Sequence, residues 1–139
     1  MTRLRRLSPY VLAVVLAGAG TLHLARPAPY DAIIPSFLPD PRFWTYASGV
    51  VELACAAAVA WPRTRERGAF VTAALFVGVF PANVQMAIDP GAVPRWLALA
   101  RLPLQVPLVL WALQVRRQSR ARSASVARPS STSGPIRSS

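Results

Sequence analysis

The chain has 139 residues, of which 53% are hydrophobic and only 15% are charged, and its mean hydropathy is +0.36. A soluble domain would carry about a quarter charged residues, so this composition excludes an ordinary soluble protein and indicates a small integral membrane protein. The formal net charge is +11, and all 16 basic residues are arginine. Because most arginines flank apolar segments, they are predicted to set membrane topology, and no nucleic-acid partner is expected.

The predicted fold class is all-α: an integral membrane four-helix bundle with a proline-rich outer loop. Four apolar segments, at residues 8–25, 43–61, 69–88 and 95–115, are each close to the roughly 20 residues that cross a bilayer. A backbone in lipid must satisfy its own hydrogen bonds, so these segments are predicted to be helices. They define a transmembrane domain over residues 1–115. Residues 116–139 are rich in Arg and Ser and are predicted to form a disordered basic tail.

Arginine placement predicts the orientation of the helices. Arginines are concentrated before the first segment, between the second and third, and after the fourth, whereas the opposite loops balance Arg with Asp. The positive-inside rule therefore puts both termini in the cytoplasm. The N-terminal segment also has the basic start and apolar core of a secretory signal peptide. Its removal would leave an odd number of spans, so we predict that it is retained as the first helix.

The outer loop between the first two helices has an unusual composition. Five prolines between Pro27 and Pro41 prevent a continuous helix. The loop nevertheless carries Ile33, Ile34 and Phe37, and is too apolar for a free solvated connection. We therefore predict a lid-like segment that lies on the mouth of the bundle.

Polar side chains from all four helices share one depth in the predicted bundle. His23 lies near the outer end of the first helix, and Glu52 lies about 12 Å inside the second helix at 1.5 Å per residue. Asn83 is near the outer end of the third helix, and Arg101 and Gln105 share one stripe of the fourth. These five residues are the predicted ligand-binding positions, in a pocket open towards the outer leaflet.

A carboxylate inside a membrane helix needs a partner or a purpose, because an unpaired charge there costs roughly 2.5–3.5 kcal/mol. Glu52 and Arg101 lie at similar depths, so we predict an ion pair between them, with Asn83 and Gln105 satisfying the remaining donors and acceptors. For His23 we predict a hydrogen bond at the helix end. No metal site is expected, and the single cysteine, Cys55, can form neither an intrachain disulfide nor a redox pair.

Three stretches resemble the DoxX-like small membrane proteins of bacteria: "GTLHLARPAPYDAIIPSFLPDP", "SGVVELACA" and "FPANVQMA". The resemblance implies four membrane helices and draws attention to His23, Glu52, Asn83 and Arg101. Some members of that family are linked to thiosulfate oxidation with quinone as acceptor, or to redox complexes with protein partners. The resemblance therefore implies a quinone- or lipid-contacting subunit of a redox or stress-related membrane assembly. The residues themselves name no cofactor and no catalytic activity.

Two other functions fit the same features. A small multidrug-type transporter also has four helices and one membrane carboxylate, but it places its acid in the first helix, and the arginine bias here opposes dual topology. The third alternative is a scaffold subunit without catalysis, in which the buried polar residues only fix the helix register.

Overall fold

The computed structural model describes residues 3–90 and 94–126 of the chain. All regular structure in this part is helical, which confirms the predicted all-α class. The helices, named in chain order, are α1 (Arg3–Ala25), α2 (Ala28–Asp31), α3 (Pro41–Ala60), α4 (Arg65–Gly78), α5 (Phe80–Ile88) and α6 (Arg95–Val126).

Four segments are long and apolar enough to cross a membrane: α1, α3, the α4–α5 pair and α6. This finding indicates a multi-pass membrane protein and agrees with the four predicted segments. The third segment is broken rather than continuous. Val79 ends α4, and Pro81, which lacks an N–H group, stands in the first turn of α5.

The fourth helix is longer than expected. The helix predicted over residues 95–115 continues to Val126, so the boundary between helix and disordered tail at residue 116 is wrong for residues 116–126. Arg116 lies over the Phe70 ring at 4.4 Å, and Arg120 lies 3.7 Å from the Glu66 carboxylate. These contacts with α4 explain why the helix continues past the apolar run. The remainder of the predicted tail lies outside the described residues.

The long helices pack as neighbours in a row. Helix α1 packs mainly on α3, α3 on α4, and the α4–α5 segment on α6. Helices α1 and α6, at the two ends of the row, make few contacts with each other. One of these contacts is a hydrogen bond of 2.8 Å that the indole of Trp111 in α6 donates to the Ser8 hydroxyl in α1. We call the end of the helices near this bond the terminal end, and the end that carries residues 26–40 the loop end.

The apolar core lies towards the terminal end. Its buried members come from α1, α3, α4 and α6, and they are Leu12, Ala13, Leu16, Cys55, Ala56, Val59, Ala69, Ala73, Phe76, Ala112 and Val115. A second, smaller cluster lies at the loop end, where Ile33 packs against Met86 and Ala98. The loop after α1 therefore contacts α5 and α6 through Ile33, and it contacts α3 through α2.

Several polar contacts hold the same loop in place. Asp40 adopts a left-handed backbone (φ 50°) and caps α3, its carboxylate accepting from the Phe43 N–H at 3.3 Å. The Trp44 indole donates to the Pro39 carbonyl at 2.9 Å, and Arg42 donates to Asp31 at 2.7 Å. The loop is therefore an ordered, folded segment whose position relative to α3 is fixed.

Candidate functional site

Helices α1 and α3 approach each other closely where each carries a glycine. A Cβ atom at Gly20 would lie 2.7 Å from the Gly49 carbonyl oxygen and 3.1 Å from the Glu52 Cβ. A Cβ atom at Gly49 would lie 2.9 Å from the His23 Cβ. Each glycine therefore leaves room for the polar residue of the opposite helix, and both side chains are accommodated at one crossing.

This crossing brings His23 and Glu52 together. The His23 Nδ1 lies 2.8 Å from the Glu52 Oε2 and 3.0 Å from the Ala19 carbonyl oxygen. Because a carbonyl oxygen can only accept, Nδ1 carries a hydrogen, which it shares between the two oxygens. The other ring nitrogen, Nε2, then acts as an acceptor in the neutral ring and as a donor in the protonated ring.

The pairing corrects the expectation for Glu52. The predicted partner was Arg101, but the carboxylate pairs with His23, and Arg101 forms no ion pair with any described residue. The physical reason is the glycine contact, which places α1 closer to α3 than α6 can come. The pattern that could have revealed this is present in the sequence, since a glycine stands three residues before His23 and three before Glu52.

Asn83 and Gln105 form a second polar pair across α5 and α6. The Asn83 side-chain amide donates to the Gln105 Oε1 at 2.8 Å, and the Gln105 amide donates to the Phe76 carbonyl oxygen. Phe76 lies three residues before the interruption at Val79, so Gln105 supports the backbone near the break between α4 and α5. The predicted proximity of Asn83 and Gln105 is confirmed, although they satisfy each other and the backbone rather than a Glu52–Arg101 pair.

A cavity of about 670 Å³ separates the two polar pairs at the loop end. His23 and Glu52 line it from α1 and α3, Asn83 and Gln105 line it from α5 and α6, and Arg101 also lines it. All five predicted site residues therefore share one cavity. Most of the remaining wall is apolar, and it includes Phe76, Leu104 and Leu108.

The loop after α1 covers part of this cavity, as the lid-like interpretation predicted. Ile33, Ile34, Phe37 and Leu38 line the cavity from the loop. Tyr30 stacks on His23 with ring centroids 3.9 Å apart and an angle of 41° between the ring planes. The loop thus contributes both apolar wall and a direct contact with the imidazole.

Two polar atoms in or beneath the loop make no hydrogen bond of normal geometry. One is the hydroxyl oxygen of Thr45, which is 1% exposed and lines the cavity, and the other is Oδ1 of the neighbouring Asp31. The pKa of Asp31 lies below its ordinary value. Burial would raise it, but the neighbouring Thr45 hydroxyl and the Arg42 guanidinium favour the ionised carboxylate more strongly. The sequence analysis did not single out Thr45, because a threonine near a helix start is common.

No group of three or more metal-ligating side chains occurs among residues 3–90 and 94–126. The arrangement can bind polar groups on two opposite walls. Its central part is apolar. These properties suit an amphipathic molecule better than a small hydrophilic one.

Comparison with known proteins gives one match. No curated protein and no solved structure matches the chain significantly. A family model described as Domain of unknown function (DUF8561) matches residues 12–116, which is more than half of the chain and includes every residue that lines the cavity. The chain therefore belongs to this family, DUF8561.

Proposed function

We propose that this protein is a multi-pass membrane protein that binds a small amphipathic molecule of the quinone or lipid class in the loop-end cavity. The observation that carries the proposal is the cavity itself: about 670 Å³ of mostly apolar space with His23 and Glu52 on one wall and Asn83 and Gln105 on the other. Pockets of 300–1,000 Å³ with an apolar lining and a few convergent polar groups are typical of ligand sites.

The polar groups suggest how the ligand is held. The His23 Nε2 is available to bind a carbonyl or hydroxyl group, because Nδ1 is engaged by Glu52 and Ala19. The Thr45 hydroxyl, which makes no hydrogen bond of normal geometry, provides a further polar group on the same side. An apolar body would extend along Leu104 and Leu108 of α6. In this proposal the termini face the cytoplasm of a bacterial inner membrane, as the arginine distribution predicts.

The resemblance to DoxX-like proteins supports a further part of the proposal. By that resemblance the protein is a subunit of a redox or stress-related membrane assembly and has protein partners. The family match neither names such an assembly nor assigns an activity. The binding proposal rests on the cavity and does not depend on the assembly.

A transporter of the small multidrug type is the second candidate, because the third membrane segment is broken next to the cavity. Transporters often bind substrates where a membrane helix is discontinuous. Here Val79, at the break, and Glu52 line the same cavity. Proton-driven uptake of a cationic dye into proteoliposomes that is abolished by Glu52→Gln would favour this candidate over a static binding protein.

The proposed function is tested by identifying what copurifies with the protein. Wild-type protein and a His23→Ala, Thr45→Val double variant are purified in mild detergent, extracted with organic solvent and analysed by mass spectrometry. We expect one class of quinone or lipid in near-stoichiometric amount with the wild type and several-fold less with the variant. Equal, sub-stoichiometric amounts of bulk lipid in both preparations would contradict the proposal.

A further inference from the structure

Two arginines share a second, smaller cavity at the loop end. Its volume is about 170 Å³, and both Arg26, just after α1, and Arg101, of α6, line it. Arg101 lines the larger cavity as well, so the two cavities meet at this side chain. The rest of the small cavity is contributed by Leu22, Pro29, Tyr30, Ile33 and Met86.

Neither guanidinium has a partner in the described part of the chain. The ion pairs there join Glu52 to His23, Asp31 to Arg42 and Glu66 to Arg120. The other two acidic residues of the chain are Asp40, which caps α3, and Asp89, at the end of α5. All five acids therefore lie in described regions, and none of them pairs with Arg26 or Arg101.

The position of Arg101 makes the lack of a partner significant. It lies six residues into α6, roughly 9 Å along the helix from Arg95. In a membrane-spanning helix an arginine at this depth is costly without a counter-charge, and such residues commonly mark a ligand or ion site. Since no acidic side chain in the described residues pairs with Arg101, a bound anion can supply the counter-charge.

We propose that Arg26 and Arg101 together bind the phosphate group of a membrane phospholipid whose acyl chain occupies the adjoining large cavity. Guanidinium groups suit this role, because each offers a planar fork of donors that matches phosphate oxygens. The inference rests on the proposed function, and it narrows the ligand class to an amphipathic molecule with an anionic phosphate head. A lipid supplies both parts that the joined cavities accept, whereas free phosphate supplies only the head.

The test uses native mass spectrometry of the full-length, delipidated protein in mild detergent. The protein is titrated with phosphatidylglycerol, with phosphatidylcholine and with diacylglycerol of identical acyl chains, and separately with inorganic phosphate. We expect both phospholipids to bind roughly tenfold more tightly than diacylglycerol, because only they carry the phosphate that the guanidinium groups can hold through a charge-assisted contact. Inorganic phosphate alone should give no stable adduct.

The variants isolate the two arginines. Arg26→Gln and Arg101→Gln should each remove most of the preference for the phospholipids over diacylglycerol, and Arg101→Lys should keep part of it. Arg95→Gln is the matched control, because Arg95 lies on the same helix but lines neither cavity. If Arg101→Gln misfolds, the lipid preference is measured with Arg101→Lys and Arg26→Gln, and each variant is first checked for the wild-type fold.

Distinct results would overturn the inference. An equal affinity for the phospholipids and for diacylglycerol, or the same loss in Arg95→Gln as in Arg101→Gln, would contradict the phosphate site. Binding of inorganic phosphate as strong as that of the lipid would reject the lipid as its source. If diacylglycerol binds but no head-group preference exists, only this inference fails. If no amphipathic molecule binds in any titration, the proposed function fails as well.

Discussion

The two ends of this helical protein are built from the same long helices, but they differ in how the space between those helices is filled. At the terminal end, small and branched residues such as Leu12, Val59 and Ala112 are fully buried. At the loop end the same helices enclose about 670 Å³, lined by two hydrogen-bonded polar pairs and an arginine. Packing without voids maximises stability, whereas a cavity with polar walls sacrifices some of it, so we place the proposed binding site at the loop end.

The local reason for the difference lies in residue size and backbone continuity. At the terminal end, α3 and α4 are tied by Arg65, which donates to the Val59 and Ala60 carbonyls at 2.8 Å and stacks on Tyr10. At the loop end, the third segment is interrupted at Val79. The helices there are joined by side-chain hydrogen bonds, by the glycine crossing of α1 and α3, and by only a small apolar cluster.

The largest expected effect comes from truncating the packed half. Leu12→Ala removes a side chain that is 0% exposed, and it should destabilise the protein by about 2–5 kcal/mol, because a cavity is left in a close-packed core. Leu104→Ala is the control, since Leu104 borders the loop-end cavity and is 52% exposed; it should cost less than about 1 kcal/mol. Unfolding in a titration with sodium dodecyl sulfate measures both. Equal costs would contradict the division into a packed half and an open half.

The glycine crossing predicts the next largest effect. Gly49→Ala places a Cβ atom 2.9 Å from the His23 Cβ and 3.0 Å from the Gly20 carbonyl oxygen, so α1 and α3 must separate. We expect a loss of about 1–3 kcal/mol from this overpacking, together with weaker ligand retention.

The matched control for this change is Gly18→Ala. A Cβ atom at Gly18 meets nothing within 4 Å, and alanine in a helix is favoured over glycine by roughly 1 kcal/mol. Gly18→Ala should therefore leave the protein as stable or make it slightly more stable. A similar loss in both variants would show that general helix effects, rather than the close crossing, determine the result.

Removing the carboxylate should have a moderate effect. Glu52→Ala leaves the half-buried His23 with only the Ala19 carbonyl as acceptor, and hydrogen bonds to charged groups contribute about 1.5–3 kcal/mol. Glu66→Ala, at a partly exposed pair of 3.7 Å, should change stability by less than about 0.5 kcal/mol. A double-mutant cycle of Glu52→Ala with His23→Ala should show coupling, whereas a cycle with Arg101→Ala should show none. Strong coupling between Glu52 and Arg101 would contradict the His23 pairing and support the Glu52–Arg101 pair first predicted from the sequence.

The smallest effect concerns the loop and depends on pH. Because the pKa of Asp31 is lowered in the folded protein, its carboxylate stabilises the fold fully above its ordinary pKa of 3.8, and this stabilisation is lost as the pH falls through the lower, folded value. Asp31→Asn should therefore have a slightly lower melting temperature than the wild type at pH 7. The two melting curves should converge below the folded pKa. A difference that stays constant with pH would exclude the carboxylate charge as its cause.

Helix number and placement could be predicted because they depend on long apolar runs, which are visible without tertiary information. The shared depth of Glu52, Asn83 and Gln105 was also predictable, since position along a helix follows from residue count. The partner of Glu52 was not, because it depends on how closely two helices approach, and this was decided by Gly20 and Gly49. The continuation of α6 past residue 115 was missed for a similar reason, since Arg116 and Arg120 are held by contacts with α4.

The most direct test of the central claim, that the loop-end half holds an amphipathic ligand and the terminal half does not, is site-specific photocrosslinking in native membranes. A diazirine-containing leucine analogue is placed on α3 at Ser48, which lines the cavity, at Val59, which is fully buried in the terminal core, or at Val50, which is 57% exposed. We expect one small-molecule adduct at position 48, no small-molecule adduct at 59, and a mixture reflecting the bulk lipids at 50. Adducts at 48 identical to those at 50, or none at 48, would contradict the account.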